Sequence, residues 1–441
     1  MENAEQSTSR DNRRTPSRLR LFAGAHMRIA MTALMLVVAL GAGMGIDRYL
    51  IAGTSAGQQT TSITDLKHFN VLDQTYQTIR ENYVLSDDIT DEQLVYGAAA
   101  GMVAALGDTG HSVFLDPEEA KAFDQQSKGE LVGIGVQIDT TGNLPKVIAP
   151  IPGSPAAEAG ILPGDVITEI DGKSLEGMDP SEAGNLLRGE EGTKVKVTLI
   201  HAGETEPYEV TLTRSRISVP AVTWAMMPND VAWIYLSEFS SGATEQLQKA
   251  LRDAKSKGAK GVVLDMRNNP GGLVFEAIGV ASQFLPNNSP LIQEKNKDGN
   301  VKITKSVGSN GEWQKGPLVV LINNGSASSA EFVASAIQDN KRGELIGETT
   351  FGTGTVLQPF RFDDGSMLLL GVELWLTADG HDIYKKGVSP DTTITNEPGV
   401  LNAIPESFSN GEVSEEQLKK LDDKQLTAGF QAVLKEIGSG R

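Results

Sequence analysis

Residues 321–331 read Leu-Ile-Asn-Asn-Gly-Ser-Ala-Ser-Ser-Ala-Glu, and the class of fold follows from this stretch. An apolar strand pattern ends at Ile322, a turn of small residues follows, and a helical pattern begins near Ser328. Similar alternation over residues 217–398 predicts α/β architecture, with helices packed on a mostly parallel sheet. The predicted order is strand Val231–Leu236, helix 243–256, strand Gly261–Met266, helix 272–285, strand Leu318–Ile322, helix 328–340 and strand Glu344–Glu348.

Ser328 stands where the predicted helix begins, and two interpretations of it stay open. Unpaired N–H groups at the amino end of a helix create positive potential, which would stabilise an oxyanion formed beside a nucleophilic serine. Ser328 and Glu331 also have the spacing of a capping box, which requires no catalysis. The local sequence alone favours the cap.

A second segment, residues 263–272, reads Val-Leu-Asp-Met-Arg-Asn-Asn-Pro-Gly-Gly. It carries a strand into the pair Gly271 and Gly272, which opens the next helix. Glycines at such a place allow backbone N–H groups to face a cavity, as an oxyanion hole requires. A plain strand-to-helix turn explains the same residues equally well.

Composition excludes several classes of function. The formal net charge of −18 argues against a nucleic-acid-binding protein, because binding phosphates requires basic patches. The chain has no cysteine, and its five histidines show no HExxH spacing, so no metal site is expected. Neither a P-loop nor a dinucleotide-binding fingerprint occurs, and no cofactor is expected.

The amino-terminal residues differ from the rest of the chain. Residues 1–28 carry six arginines, and an uncharged, mostly apolar run from Ile29 to Ile46 follows. As a helix, this run would span about 27 Å, close to the hydrocarbon thickness of a bilayer. The charge distribution predicts a single-pass anchor with a cytoplasmic amino end and an extracytoplasmic body. A cleaved signal peptide is the alternative.

From Leu131 the pattern changes to short strands separated by glycine turns. The run PGSPAAEAGILPGDVITEIDG at residues 152–172 closely resembles a PDZ domain. In that family, backbone N–H groups of a glycine-containing loop bind the terminal carboxylate of a peptide, which adds as a strand. A small β-rich domain without a ligand is the alternative. The resemblance assigns the peptide-binding loop to Gly133, Ile134, Gly135 and Val136.

A third segment, residues 347–358, reads Gly-Glu-Thr-Thr-Phe-Gly-Thr-Gly-Thr-Val-Leu-Gln. Together with DMRNNPGG and NNGSASSAE, and in this order after a PDZ-like segment, it resembles the carboxyl-terminal processing (tail-specific) proteases. The resemblance covers residues 65–395. It implies a crotonase/ClpP-like peptidase core and a serine endopeptidase that engages the carboxyl end of a protein and cleaves nearby.

The resemblance also implies roles for individual residues. Ser328 matches the nucleophile, and the oxyanion hole matches the amides of Gly271, Gly272 and Ser329. The family's usual general base is a lysine in a TFGKG motif, twenty-five positions after the serine. That position is Thr353 in this chain, and a threonine hydroxyl is not basic near pH 7. Gln358 is a candidate orienting residue.

Two explanations for the missing lysine stay open. In the first, another residue is the base. His111 leads, because LGDTGHS resembles the DGHT-type loop of tricorn-like proteases, although a loop or domain-interface role fits it equally well. His381 ranks second, and Glu373 could orient a histidine. In the second explanation the chain is a pseudoprotease that acts as a PDZ peptide-binding adaptor.

Arg188 matches a recurrent Arg-Gly of the family's PDZ domain and could couple peptide binding to the core; a solvated arginine is the simpler alternative.

The expected partners are protein substrates, bound by their carboxyl ends, and the membrane; a homo-oligomer is left open. The expected boundaries are a basic segment at 1–28, an anchor at 29–46, a linker at 47–63, a helical domain at 64–127, a PDZ domain at 128–216, the peptidase core at 217–398 and an acidic tail at 399–441.

Overall fold

The computed structural model describes residues 62–439, apart from short stretches at 109–110, 140–143, 179, 309–310, 398–399, 401 and 409–410. The predicted membrane anchor at 29–46 and the basic segment before it lie outside the described residues. Among the helices of the described part, none is both long and apolar enough to cross a membrane.

The amino-terminal region consists of three helices and one short strand. Their bounds are α1 Asn70–Asn82, α2 Asp91–Ala104, β1 Val113–Leu115 and α3 Pro117–Ser127. Helices α1 and α2 bury no residue, whereas α3 buries Ala120 and Phe123. Strand β1 was not expected in a region predicted as helical, and it pairs with residues 367–369 of the largest domain. The amino-terminal region is thereby tied to that domain.

A β-rich module follows, carried on a two-stranded antiparallel ribbon. The ribbon strands are β2 Glu130–Gly133 and β9 Ser215–Ser218. Between them lie β3 Val136–Asp139, β4 Lys146–Pro150, α4 Pro155–Glu158, β5 Val166–Ile170, β6 Lys173–Ser174, α5 Pro180–Leu187, β7 Lys194–Ile200 and β8 Pro207–Thr213. The sheet is antiparallel in the order β3-β4-β5-β7-β8, with β6 paired to β5. Ile167, Val197 and Leu199 are fully buried in its core.

A six-stranded sheet lies in the middle of the largest domain. In their order across the sheet, its strands are β10 Val222–Met227, β11 Val231–Leu236, β12 Gly261–Asp265, β15 Leu318–Ile322, β16 Glu344–Gly347 and β19 Thr392–Thr393. The first pair is antiparallel and the other neighbours are parallel. Strands β12 and β15 are buried along their whole length, as is typical of parallel strands covered on both faces. The predicted mostly parallel sheet is confirmed.

An antiparallel sheet and three helices cover one face of this central sheet. Its five strands are β1 together with β13 Pro290–Asn296, β14 Val301–Lys305, β17 Thr355–Arg361 and β18 Met367–Thr377. The helices are α6 Ala243–Ser256, α7 Val274–Phe284 and α8 Ser329–Asp339, close to the predicted bounds. Leu247, Phe284 and Phe332 belong to the hydrophobic cluster that joins these layers.

The carboxyl-terminal residues pack against the other face of the central sheet. The sequence predicts an acidic tail here, with a helix near 425–437 and no assigned role. The structure contains α9 Glu415–Lys419 and α10 Lys424–Ser439, and α10 buries Leu426, Phe430 and Val433 against the sheet. This segment therefore contributes to the packing of the core.

A buried ion-pair network fixes this segment to the end of β12. The Arg267 guanidinium is fully buried and contacts the carboxylates of Asp265 and Asp423, each at 2.7 Å. Burial alone would raise the pKa of Asp423, but the charge and hydrogen bonds of Arg267 outweigh burial and lower it. Since Asp423 precedes α10, the network joins the carboxyl-terminal segment to the loop that contains Gly271 and Gly272.

We expect Asp423→Asn to lower the free energy of unfolding by about 3–5 kcal/mol, because it leaves the buried Arg267 with one carboxylate instead of two. Asp422→Asn, the same change at an exposed neighbour, is the control and should cost less than about 0.5 kcal/mol. Urea denaturation measures both. The lowered pKa means that the charge of Asp423 stabilises the protein at neutral pH and is lost below about pH 4. The two variants should therefore converge in acid; equal stability at pH 7 would contradict the assignment.

Candidate active site

Three loops meet at the carboxyl ends of β12, β15 and β16, the edge where open parallel sheets bind their ligands. They comprise residues 266–273, 323–328 and 348–354. The Ser326 hydroxyl joins the first two by donating to the Met266 carbonyl at 2.8 Å. The Phe351 N–H joins the third by donating to the Ser326 carbonyl at 2.9 Å. The three segments singled out in the sequence are thus brought together.

Ser328 has an unusual backbone conformation at the start of α8. Its φ of 53° and ψ of −114° differ from the extended conformation of ordinary caps in this chain, such as Ser154 with φ −84° and ψ 160°. A non-glycine residue with positive φ carries backbone strain, which proteins retain mainly at functional sites. Its N–H donates to the Glu331 carboxylate at 2.9 Å, so that half of the capping box is present. Capping alone does not explain the strained backbone.

The Glu331 carboxylate is fully buried and accepts four hydrogen bonds. Its two oxygens accept from the Ser328 N–H, the Thr350 hydroxyl, the Gly352 N–H and the Thr353 N–H, at 2.9, 2.6, 2.6 and 2.9 Å. Burial raises the pKa of Glu331, and these four hydrogen bonds partly oppose the rise. One side chain therefore holds the loop at 350–353 against the turn that contains Ser328.

The two predicted oxyanion-hole glycines have different roles. The Gly271 N–H donates to the Asn269 side-chain oxygen at 2.8 Å and is therefore occupied. The Gly272 N–H has no acceptor within the described part of the chain. The Ser329 N–H, at the first position of α8, likewise has none there. The free pair of donors is therefore Gly272 and Ser329, and Gly271 helps to shape the loop.

Thr353 lies close to Ser328, as the count of twenty-five positions predicts. The backbone nitrogens of both residues are 2.9 Å from the same Glu331 oxygen, so they are at most twice that distance apart. The Thr353 side chain is fully buried, and its hydroxyl has no hydrogen-bond partner among the described residues. A threonine hydroxyl thus lies where the sequence resemblance implies a lysine.

His111 is buried beside the third loop. Its ring lies 5.9 Å from the ring of Phe351 and 5.3 Å from the ring of Tyr384, centroid to centroid. Its Nδ1 atom is buried and has no partner among the described residues, and the structure shows no hydrogen bond from His111 to Ser328. Burial lowers the pKa of His111; Asp108 opposes this effect and Lys385 reinforces it. The imidazole is therefore neutral at pH 7.

The other sequence candidates lie elsewhere in the fold. Gln358 is half-buried in β17 opposite Leu370, and Glu373 lies in β18, where burial raises its pKa. His381 is exposed in the turn after β18. Within the described ranges, no hydrogen bond connects these three side chains to Ser328 or Thr353.

The predicted peptide-binding loop lies between β2 and β3 of the β-rich module. Its carbonyls face inward, since Ile134 accepts from the Ala156 N–H and Gly135 from the Ile151 N–H, both at 2.9 Å. The Gly135 N–H has no acceptor in the described residues and is free to bind an anion. Gly135 has φ +78°, and a Cβ there would lie 2.3 Å from the Cβ of Ser154, so only glycine fits.

Arg188 follows α5 and lies beside this loop. Its backbone forms an isolated antiparallel bridge with Gly133. The surrounding protein lowers the pKa of Arg188 by desolvation, although its side chain remains open to solvent. Within the described part of the chain it forms no ion pair, so a carboxylate ligand could still bind it.

Comparison with known proteins gives three family matches. The model described as Peptidase family S41 matches residues 230–394, and the PDZ domain matches residues 146–200. The model described as Activating protease CtpB N-terminal domain matches residues 47–119. Among relatives, the carboxy-terminal processing protease CtpA of Bacillus subtilis is 40% identical over 342 residues, which are 77% of this chain and 72% of that protein.

The chain belongs to the carboxy-terminal processing protease family. A carboxyl-terminal-processing protease of Synechocystis sp. is also similar, at 37% identity over 73% of this chain and 75% of that one. The fold agrees with a putative S41 protease from Bacteroides fragilis, with a TM-score of 0.52 and 20% identity over 84% of this chain and 97% of that chain. The protein is therefore a serine-type peptidase by family.

The sequence does not identify several residues that shape this site. Asn269 holds the Gly271 N–H, and the Thr350 hydroxyl links Glu331 to the Val388 N–H at 2.7 Å. For Glu331 the sequence predicts only half of a capping box. The spacing of Glu331 from Ser328 was the one available signal, because the other partners are distant in sequence.

We expect Glu331→Gln to lower the free energy of unfolding by about 1–3 kcal/mol, because its NH₂ group would face at least one backbone N–H that now donates to the carboxylate. It should also reduce labelling of Ser328 by a fluorophosphonate probe, since the turn would lose its anchor. Asp339→Asn, at the other end of α8, is the control; Asp339 accepts one exposed hydrogen bond, from the Asp379 N–H. Equal effects of the two substitutions in urea denaturation and labelling would contradict this role of Glu331.

Proposed function

We propose that the protein is an endopeptidase that binds the carboxyl end of a protein substrate through its PDZ domain and cleaves nearby by acyl-enzyme chemistry. One observation carries the catalytic part of this proposal. The unpaired Ser329 N–H directly follows Ser328, whose backbone is strained, and the unpaired Gly272 N–H belongs to the residue whose carbonyl accepts from the Ser329 hydroxyl at 2.7 Å. Two free donors beside a serine hydroxyl form the arrangement that stabilises a tetrahedral oxyanion.

In the proposed mechanism, Ser328 Oγ attacks the scissile carbonyl carbon while its proton passes to the base. The carbonyl oxygen becomes an oxyanion that accepts hydrogen bonds from the Gly272 and Ser329 N–H groups. The carbon–nitrogen bond then breaks, and the base returns the proton to the departing amine. Water, deprotonated by the same base, attacks the acyl-enzyme and releases the second product and Ser328.

We assign the base to His111. Its neutral imidazole and unpaired, buried Nδ1 suit it to accept a proton, and its contact with Phe351 places it beside the loop of Thr353. Because His111 and Ser328 are not hydrogen-bonded, catalysis requires the two to approach when substrate binds, as catalytic pairs often do. A second function, a PDZ peptide-binding adaptor without turnover, is favoured by Thr353, whose hydroxyl cannot act as a base.

We expect Thr353→Lys to raise the rate of cleavage by about 10²-fold, because a lysine beside Ser328 supplies a base. The assay is hydrolysis of an unfolded protein with an apolar carboxyl end by the full-length chain. Ser328→Ala should abolish cleavage in both backgrounds; cleavage that persists would exclude Ser328 as the nucleophile. Cleavage by Thr353→Lys alone would show that the natural chain is an adaptor. No cleavage by either form would contradict the proposed peptidase activity.

The pH dependence of the natural chain tests His111. Because its pKa is lowered, the imidazole stays neutral to lower pH than a free histidine, and the midpoint of the rise in kcat/KM should lie below about pH 6.5. Thr353→Lys should shift the rise to higher pH, since a lysine must lose its proton first. His111→Ala should remove the activity of the natural chain and spare that of Thr353→Lys. Natural activity that survives His111→Ala would contradict the assignment.

We further propose that the free Gly135 N–H and the solvent-open Arg188 bind the terminal carboxylate of the substrate, which is the chemistry by which PDZ domains recognise carboxyl ends. A carboxylate bound at Gly135 and Arg188 would place the preceding residues of the substrate beside the β-rich module, from which the chain would extend to Ser328. The extracytoplasmic location, the membrane anchor at 29–46 and self-association stay predictions from the sequence.

A peptide with an apolar carboxyl end should bind the Ser328→Ala protein at least about tenfold more tightly than its carboxyl-terminal amide, by fluorescence anisotropy. Gly135→Ala should weaken binding, because the new Cβ would collide with Ser154. Gly160→Ala is the matched control, since Gly160 has φ +79° against +78° for Gly135 but has nothing within 4 Å of a new Cβ. Equal binding of acid and amide would exclude carboxylate recognition.

A further inference from the structure

The side chain of Ser329 forms a hydrogen bond that the proposed mechanism does not use. Its hydroxyl donates to the Gly272 carbonyl oxygen at 2.7 Å, and the residue is fully buried. The bond connects the first residue of α8 to the glycine at the entrance of α7, fifty-seven positions earlier. It therefore joins the two residues whose N–H groups are free at the site.

The backbone of Phe239 binds the residues on both sides of Gly272. The Phe239 N–H donates to the Gly271 carbonyl at 2.7 Å, and the Leu273 N–H donates to the Phe239 carbonyl at 2.8 Å. A Cβ on Gly272 would lie 2.3 Å from that Phe239 oxygen, and its φ of 148° is accessible mainly to glycine. The Gly272 carbonyl is fixed only by the Ser329 hydroxyl among the described residues.

We propose that Ser329 is a positioning residue. Its hydroxyl holds the Gly272 and Ser329 N–H groups in the geometry required to bind the oxyanion. This inference rests on the proposed peptidase function and adds a role that the backbone N–H of Ser329 does not provide. A glycine without a Cβ can rotate its flanking peptide planes at little steric cost. A donor must lie 2.7–3.1 Å from the developing oxyanion, so a small rotation of Gly272 weakens the interaction.

The experiment compares Ser329→Ala with Ser335→Ala in the full-length chain. Ser335 is the matched control, because it is a fully buried serine of the same helix whose hydroxyl donates to a backbone carbonyl, that of Phe332 at 3.1 Å. Ser329→Ala should lower kcat about tenfold and leave KM unchanged, because the oxyanion exists only in the transition state. It should also weaken inhibition by a peptide boronate, a mimic of the tetrahedral adduct, about tenfold. Ser335→Ala should change each quantity less than twofold.

Hydrogen exchange provides a readout that does not depend on turnover. In Ser329→Ala the Leu273 N–H should exchange at least about tenfold faster than in Ser335→Ala. The Gly272 carbonyl and the Leu273 N–H belong to one peptide plane, which becomes more mobile when the hydrogen bond from the Ser329 hydroxyl is lost. If exchange is faster in Ser329→Ala but neither the natural chain nor the variants cleave substrate, the positioning role of the Ser329 hydroxyl stands and the peptidase proposal is rejected. Turnover with equal kcat in the two variants, a change confined to KM, or equal exchange would overturn the positioning role of Ser329.

Discussion

The buried carboxylate of Glu331 is the interaction on which the rest of the site depends. Burying a carboxylate costs several kcal/mol unless hydrogen bonds replace its water, and here four donors do so. Three of the donors are backbone N–H groups, so the carboxylate fixes the course of the chain at Ser328 and at 352–353. The strained backbone of Ser328 can persist because the surrounding structure holds it in this way. The same carboxylate therefore holds both loops of the site in their folded positions.

A second buried charge, that of Arg267, links the site to the carboxyl-terminal segment on the opposite face of the central sheet. Arg267 lies between the strand end and the oxyanion-hole loop, and its bonds to Asp265 and Asp423 fix that loop relative to the carboxyl-terminal segment. The apolar face of α10 covers the sheet beneath it. The last forty residues thus stabilise the position of Gly272 although they are remote from the reacting atoms.

Local patterns predicted the elements of the core well. The bounds of β11, α6 and β15 coincide with the predicted segments, because the two buried strands are continuous apolar runs and the helix is amphipathic. Strand β1 was missed, since three residues carry too little pattern and its pairing with 367–369 is long-range. The same limit applies to the site. The sequence indicated Ser328, Gly272 and the position of Thr353, whereas the occupation of the Gly271 N–H by Asn269 depends on loop geometry that spacing does not encode.

Thr353 shows how the framework and the base of such a site can be separated. Glu331 binds the backbone N–H of residue 353, and that group is the same whichever side chain the residue carries. A threonine in place of the lysine that the sequence resemblance implies therefore leaves these backbone contacts at Ser328 and at residue 353 in place. The unpaired Thr353 hydroxyl and the unpaired His111 Nδ1 are what remains beside this framework. Because Glu331 accepts from the backbone of residue 353 and not from its side chain, this framework does not itself supply a base, and the proposed acyl transfer depends on which basic group reaches Ser328.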